Sequence, residues 1–158
     1  MNSLLMPFRG QPPSPRLRDG YRLLHDPAPN CDDLNRLLHS AGEPPRPSER
    51  WALVLERSSW SLAISDRQER WVGFLRATSD RALNANLWDL LSDPADAARQ
   101  EVIAVLVHTA LLRLRRELAG CSVSISAAPE TLEALRASGF VIDPGGIRAM
   151  GLRLQPPT

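Results

Sequence analysis

The sequence has no lysine, one tyrosine, two cysteines and only nine glycines in 158 residues. Its 19 basic residues are therefore all arginines, and 18 acidic residues bring the formal net charge to +1. This charge excludes the bulk attraction that nucleic acids and anionic membranes exert on basic domains. Cys31 and Cys121 are too few for a disulfide framework, and with the scattered His25, His39 and His108 they form no metal-ligand spacing. We expect no metal and no nucleic-acid partner.

Long apolar runs are also missing. None is long enough to cross a bilayer, and the N-terminus lacks the charged start and apolar stretch of a secretory signal. These absences predict a cytoplasmic protein without membrane insertion. The hydrophobic fraction of 43% is enough for one packed domain at this length.

Prolines divide the chain. Four prolines and several arginines near the N-terminus predict a flexible Pro/Arg-rich tail over residues 1–19, since proline fixes φ and removes a backbone donor. Both an unstructured leader and a partner-binding arm fit this composition. We expect one domain over residues 20–154 and a frayed end over residues 155–158.

The hydrophobic periodicity predicts alternating strands and helices. Strands are expected at 21–25, 60–65, 71–77, 87–92, 121–126 and 147–154, and helices at 32–40, 48–56, 93–118 and 129–138. Ser48 is expected to cap the second helix. A long helix that joins two strands requires a parallel pair there. The order therefore predicts an α+β fold with a mixed sheet.

Several short stretches, in this order, carry a family resemblance. They are Arg76 to Asp80, Asn84 to Leu91, Asp93-Pro94, Ser138-Gly139-Phe140 and Gly146-Ile147. Over roughly residues 20–154 the chain resembles the plastid and cyanobacterial group of the GNAT acetyltransferase superfamily. Plant members of that group include serotonin N-acetyltransferases that also acetylate protein lysines. The resemblance implies a mixed central sheet of about six to seven strands flanked by about four helices.

The resemblance also implies acetyl transfer from acetyl-CoA to an amine. The backbone of Leu90, Leu91 and Ser92 would hold the pantetheine arm. The next turn would aim backbone N–H groups at the pyrophosphate, because a helix start has unpaired donors and a positive dipole end. The loop positions in this chain are Ala97, Gln100 and Val102.

The chain departs from the family at that turn. The family has glutamine or arginine, glycine, and glycine or alanine at those positions, and this chain has no glycine between Gly73 and Gly120. Asp96 would also repel a pyrophosphate, at a cost of about 1–4 kcal/mol at about 4 Å. The tyrosine that usually protonates the leaving thiolate is replaced by Leu135. We therefore expect weak or lost CoA binding.

Two residues, one in the strand at 87–92 and one just before it, are candidates for accepting a proton in the reaction. Asp89, or Asn86 three positions earlier, would accept a proton from the amine, directly or through water. A strand-edge carboxylate bonded to a neighbouring turn explains Asp89 equally well. The four tryptophans either line a pocket for an aromatic amine or belong to the core.

Besides an acyl-CoA sensor that binds the cofactor weakly without turnover, two functions remain open on the sequence. One is an acetyl-CoA-dependent N-acetyltransferase that acts on an amine. The other is a catalytically inactive GNAT-like binding or scaffold protein, with the tail at 1–19 and the arginines of 113–116 as exposed candidates for a protein partner. A homodimer is compatible with both.

Overall fold

The computed structural model describes residues 13–146 and contains five strands and four α-helices in that range. In chain order they are β1 (Arg22–His25), α1 (Cys31–Ser40), α2 (Ser48–Arg57), β2 (Trp60–Ser65), β3 (Trp71–Ser79), β4 (Asn84–Ser92), α3 (Arg99–Glu117), β5 (Ser122–Ile125) and α4 (Leu132–Ala137). Short 3₁₀ turns cover Pro129–Thr131 and Pro144–Gly146. The predicted α+β class is confirmed, and residues 13–146 contain five of the expected six to seven strands. The strand expected at 147–154 lies outside the described residues, and the proposed domain boundaries stay predictions.

The strands form one mixed sheet in the order β1-β2-β3-β4-β5. The first four are antiparallel neighbours, whereas β4 and β5 are parallel. Helix α3 makes the crossover between that parallel pair, as its length predicted. The carboxyl ends of β4 and β5 therefore point the same way, and both α3 and α4 follow them.

Each face of the sheet has its own core. Helices α3 and α4 cover one face through a cluster that includes Leu62, Leu87 and Leu106. Helices α1 and α2 cover the other through a cluster that includes Leu37, Trp51 and Phe74. In the part of the chain that the structure describes, no helix has the length and apolar character to cross a membrane.

The start of α2 differs slightly from the prediction. Ser48 is the first helical residue, and the capping position belongs to Pro47, which has extended backbone and no side-chain acceptor. The prediction of Ser48 as the cap is wrong, because proline is well suited to the extended conformation that precedes the helix.

The start of α3 differs more. The helix begins at Arg99 and not at Asp93. The Asp93 carboxylate accepts from the amide of Ala95, and the Asp96 carboxylate accepts from the amide of Ala98. Such local bonds offer the backbone an alternative to the helix. Two consecutive turns therefore separate β4 from α3.

Candidate active site

Strands β4 and β5 part from each other halfway along β4. Their pairing runs from Asn84 opposite Ser122 to Leu87 opposite Ile125 and ends there, although β4 continues to Ser92. Beyond Leu87, this edge of β4 has no strand partner among residues 13–146. A cleft of about 830 Å³ lies at the parting. It is lined by Asn86, Leu87, Trp88, Val123 to Ala128, Leu132, Leu135, Arg136 and Phe140 to Pro144.

Apolar side chains surround the cleft where it meets solvent. Trp88 is 43% exposed, Val141 71% and Ile142 52%, although all three are large and hydrophobic. The other tryptophans are buried in the two cores. Of the four tryptophans, the cleft is therefore lined by Trp88 alone. An amine with an apolar body suits this surface, since burial of apolar area stabilises the complex.

Asn86, one of the two predicted chemical residues, lines the cleft. Its side-chain oxygen accepts from the hydroxyl of Ser124, directly across the β4–β5 pair. The amide group of Asn86 is therefore held in place where the two strands begin to separate.

Asp89, the other predicted residue, lies in a β-bulge. Phe74 pairs with Leu91 and Arg76 with Trp88, so two residues of β4 stand opposite Leu75 alone. Asp89 has a φ of 51°.

Both oxygens of the Asp89 carboxylate have arginine partners. Arg76 Nε donates to Oδ2 at 2.6 Å, and Arg46 donates to Oδ1 at 3.1 Å and to Oδ2 at 3.4 Å. A base in this position would have to act while bound to two guanidinium groups. Sequence reasoning missed Arg46 and Arg76, because neither is near Asp89 in the chain.

The predicted pantetheine-binding residues form the end of β4. Leu91 and Ser92 are buried, and Leu90 is half-buried. The hydroxyl of Ser92 accepts from Arg99 Nε at 2.9 Å, and the same guanidinium pairs with Glu130 at 3.0 Å. Arg99 opens α3, and Glu130 lies in the turn before α4. This ion pair therefore bridges the segments that follow the two separating strands, and no sequence signal pointed to it.

The three loop positions do not lie together. Ala97 and Gln100 are exposed, whereas Val102 is fully buried. The Val102 side chain packs against Gly73 of β3, which has no Cβ at that contact. The branched side chain therefore faces the sheet and not the loop surface where a pyrophosphate would approach.

Asp96 is occupied by groups of the chain itself. Its carboxylate accepts from the Tyr21 hydroxyl at 2.9 Å and 3.1 Å, besides the Ala98 amide at 2.7 Å. Burial, followed by the hydrogen bond to Asp96, raises the pKa of Tyr21. The Tyr21 hydroxyl therefore lies beside the turn before α3, where it orients the Asp96 carboxylate.

Arg18 also contacts the start of α3. Its guanidinium donates to both oxygens of Glu101, at 2.8 Å for the shortest contact, and to the carbonyl of Ala97 at 2.8 Å. The residues just before β1 thus contact the first turn of α3.

The remaining side chains offer little chemistry. Leu135, at the position of the family tyrosine, is 2% exposed and apolar. Cys121 Sγ lies 3.4 Å from the carbonyl oxygen of Ala82. Arg113 pairs with Asp26 and Glu117. Among the described residues, no group of histidine, cysteine and acidic side chains is arranged to hold a metal ion.

Comparison with known proteins gives a consistent result. No protein-family model matches the chain. The uncharacterized N-acetyltransferase ycf52 of Porphyra purpurea is 32% identical over 124 residues, which are 77% of this chain and 70% of that protein. The chloroplastic GCN5-related N-acetyltransferase 1 of Arabidopsis thaliana is 30% identical over 122 residues, 77% of this chain and 61% of that protein.

A solved structure has the same fold. It is a probable acetyltransferase of unknown function from meticillin-resistant Staphylococcus aureus, with a TM-score of 0.73. The match covers 85% of this chain and 99% of that one at 16% identity, so it establishes the fold alone.

Proposed function

Because the chain belongs to the plastid-type GNAT family of N-acetyltransferases, we propose that it transfers the acetyl group of acetyl-CoA to an amine in the cleft between β4 and β5. The observation that carries this proposal is the parting of the two strands after Leu87 and Ile125. It leaves one edge of β4 beside a cleft large enough for an organic ligand.

The cleft residues and the end of β4, which does not line the cleft, have separate roles. The backbone of Leu90 to Ser92 would hold the pantetheine arm along the open edge of β4. Trp88, Val141 and Ile142 bind the apolar part of the amine and exclude water from it, and Asn86 orients its polar end. Acetyl-CoA supplies the activated acyl group, which the amine attacks. The amide bond forms as the C–S bond of the thioester breaks, and the amine proton passes to water. The CoA thiolate takes its proton from water as well, because Leu135 has none to donate.

Cofactor binding is weak in this proposal. Ala97 and Gln100 provide neither the side chain nor the backbone freedom of the family loop, and the Arg99 guanidinium is engaged by Glu130. The burial of Val102 moderates the loss, whereas the Asp96 carboxylate occupies the backbone N–H of Ala98 just before α3. We therefore propose a dissociation constant above the low-micromolar range.

Two measurements test the proposal. Calorimetric titration with acetyl-CoA should give weak but saturable binding, whereas low-micromolar affinity would show that the altered loop is intact in function. Mass spectrometry of a panel of aromatic and aliphatic amines, incubated with protein and acetyl-CoA, should show N-acetylation. Saturable binding of acetyl-CoA without any acetylated product would contradict the proposed acetyltransferase activity.

The second candidate is a GNAT-like domain without catalysis, which the apolar Leu135 favours. It requires a protein partner. A pull-down in which a chain lacking residues 1–19 loses that partner would support the tail as the binding segment, whereas an unchanged partner would remove the tail from consideration. Sedimentation of the full chain tests the homodimer. The cytoplasmic location stays a prediction, and the Arabidopsis relative is chloroplastic by name.

A further inference from the structure

The bulge of β4 lies at the point where the cleft opens. The last residue of β4 that pairs with β5 is Leu87. The two residues of the bulge, Asp89 and Leu90, begin two positions later. A bulge bends its strand and increases the local twist. The backbone change at Asp89 therefore accompanies the separation of β4 from β5.

The conformation of Asp89 needs support from its surroundings. A positive φ is uncommon for residues other than glycine, although aspartate and asparagine adopt it more readily than most. The pair of arginines provides this support. The Asp89 side chain is 11% exposed and that of Arg76 15%, so both are largely shielded from water. Charge-assisted hydrogen bonds are stronger than neutral ones.

The same arginines contact two tryptophans. The Arg46 guanidinium lies 4.6 Å from the Trp51 ring centroid, and that of Arg76 lies 5.7 Å from the Trp88 ring centroid. Trp51 is buried in the core beneath α2, whereas Trp88 lines the cleft. One carboxylate thus connects an arginine fixed on the core with an arginine that faces a cleft residue.

We infer that Asp89 is a positioning residue, whose ion pairs with Arg46 and Arg76 hold the β4 bulge and the Trp88 ring in the geometry that binds substrate. This role rests on the proposed function for its kinetic consequence, but its structural part does not. Arg46 acts on Trp88 through Asp89, since it contacts the carboxylate and not that ring. The alternative is that Asp89 is itself the proton acceptor.

Fluorescence quenching tests the structural part without acetyl-CoA. Trp88 is the exposed tryptophan of the four, so acrylamide quenching reports mainly on it, and Trp88→Phe identifies its signal. Asp89→Asn keeps the side-chain shape and a residue that tolerates positive φ. We expect it to change the quenching of Trp88, and Arg46→Gln to produce the same change. Asp32→Asn, an exposed aspartate of α1, is the matched control and should leave the quenching as it is.

Steady-state kinetics tests the kinetic part. For a positioning role, Asp89→Asn and Arg46→Gln should raise the KM for the amine roughly three- to tenfold and change kcat by less than about threefold. Loss of a general base would instead lower kcat by about 10²–10⁴ with little effect of Arg46→Gln. That second pattern, or an unchanged Trp88 signal in both variants, would overturn the positioning role. A wild-type chain that acetylates nothing would refute the proposed function, while the quenching comparison would still decide whether Asp89 holds Trp88.

Discussion

The side chain of Val102 in α3 occupies the space that the missing side chain of Gly73 in β3 leaves open. A Cβ at Gly73 would overlap Val102 Cγ1 and lie 3.0 Å from Leu106 Cδ1. Helix and sheet can approach closely here because one of the two partners is a glycine. In this chain the glycine is in the strand and the branched residue is in the helix.

The first prediction concerns this contact. Gly73→Ala should destabilise the fold by about 1–3 kcal/mol, since overpacking of a filled core forces side chains and backbone to shift. Val102→Ala vacates the space. The double variant should therefore be more stable than the sum of the single effects predicts, with a coupling of about 0.5–3 kcal/mol. Urea denaturation of the wild type, the two single variants and the double variant measures this coupling. Strict additivity of the free energies would show that the two residues do not share the space.

The second prediction concerns the altered loop. Ala97→Gln, Gln100→Gly and Val102→Gly together should improve acetyl-CoA binding, because they restore the family residues. The structure assigns the gain to the two exposed positions. The double variant at Ala97 and Gln100 should bind as well as the triple variant.

The triple variant should also be less stable than the double variant. Replacing valine with glycine at position 102 costs roughly 0.5 kcal/mol in helix propensity and leaves a buried cavity besides. Calorimetry measures the affinity and urea denaturation the stability of both proteins. No gain in either protein would mean that a different feature limits binding.

The third prediction concerns the ion pair between α3 and the turn before α4. Glu130→Gln removes the negative charge and frees the Arg99 guanidinium for a phosphate group. Acetyl-CoA should bind about two- to fivefold more tightly, since a partly exposed pair of this kind is worth up to about 1 kcal/mol. Glu133→Gln, exposed on the neighbouring α4, is the control. Weaker binding of acetyl-CoA to the Glu130→Gln protein would show that the pair supports the site and does not compete with it.

The fourth prediction concerns pH. The backbone N–H groups of Asn84, Ala82 and Leu83 hold the pKa of Asp80 down to about 2. A lowered folded-state pKa stabilises the fold above the unfolded pKa of about 4, and this stabilisation is lost as the pH falls toward 2. Asp80→Ala should therefore be less stable than wild type at pH 6, and the difference should shrink between about pH 4 and pH 2. Denaturation curves at each pH measure it, and a constant difference would contradict the role of the charge.

Local patterns in the sequence predicted most of the fold. The predicted ends of β2 are confirmed, because its apolar residues are flanked by polar turns. Gly139, with a φ of 98°, follows the end of α4 as predicted. The sequence predicts too early a start for α3, because Asp93 and Asp96 are suitable both as helix caps and as turn residues. Only the folded chain shows which of these two roles they take.

The candidate site was less predictable, since its main contacts join distant positions. The sequence does not indicate that Val102 is buried, because its partner Gly73 lies 29 positions earlier in the chain. The sequence does not decide between the two roles of Asp89, because the arginines that pair with it lie in β3 and in the segment before α2. The sequence contains these residues but not the strand register that brings them together.

The acidic groups around the start of α3 each have a partner from another part of the chain. Asp93 pairs with Arg36 at 2.8 Å, Glu101 with Arg18, and Asp96 binds the Tyr21 hydroxyl. Arg36 and Arg18 are thus each paired with a carboxylate before any ligand arrives, and they leave no excess positive charge for an anion. An anionic ligand would gain little long-range attraction there, so its binding should depend only weakly on ionic strength, unlike binding at an uncompensated arginine cluster.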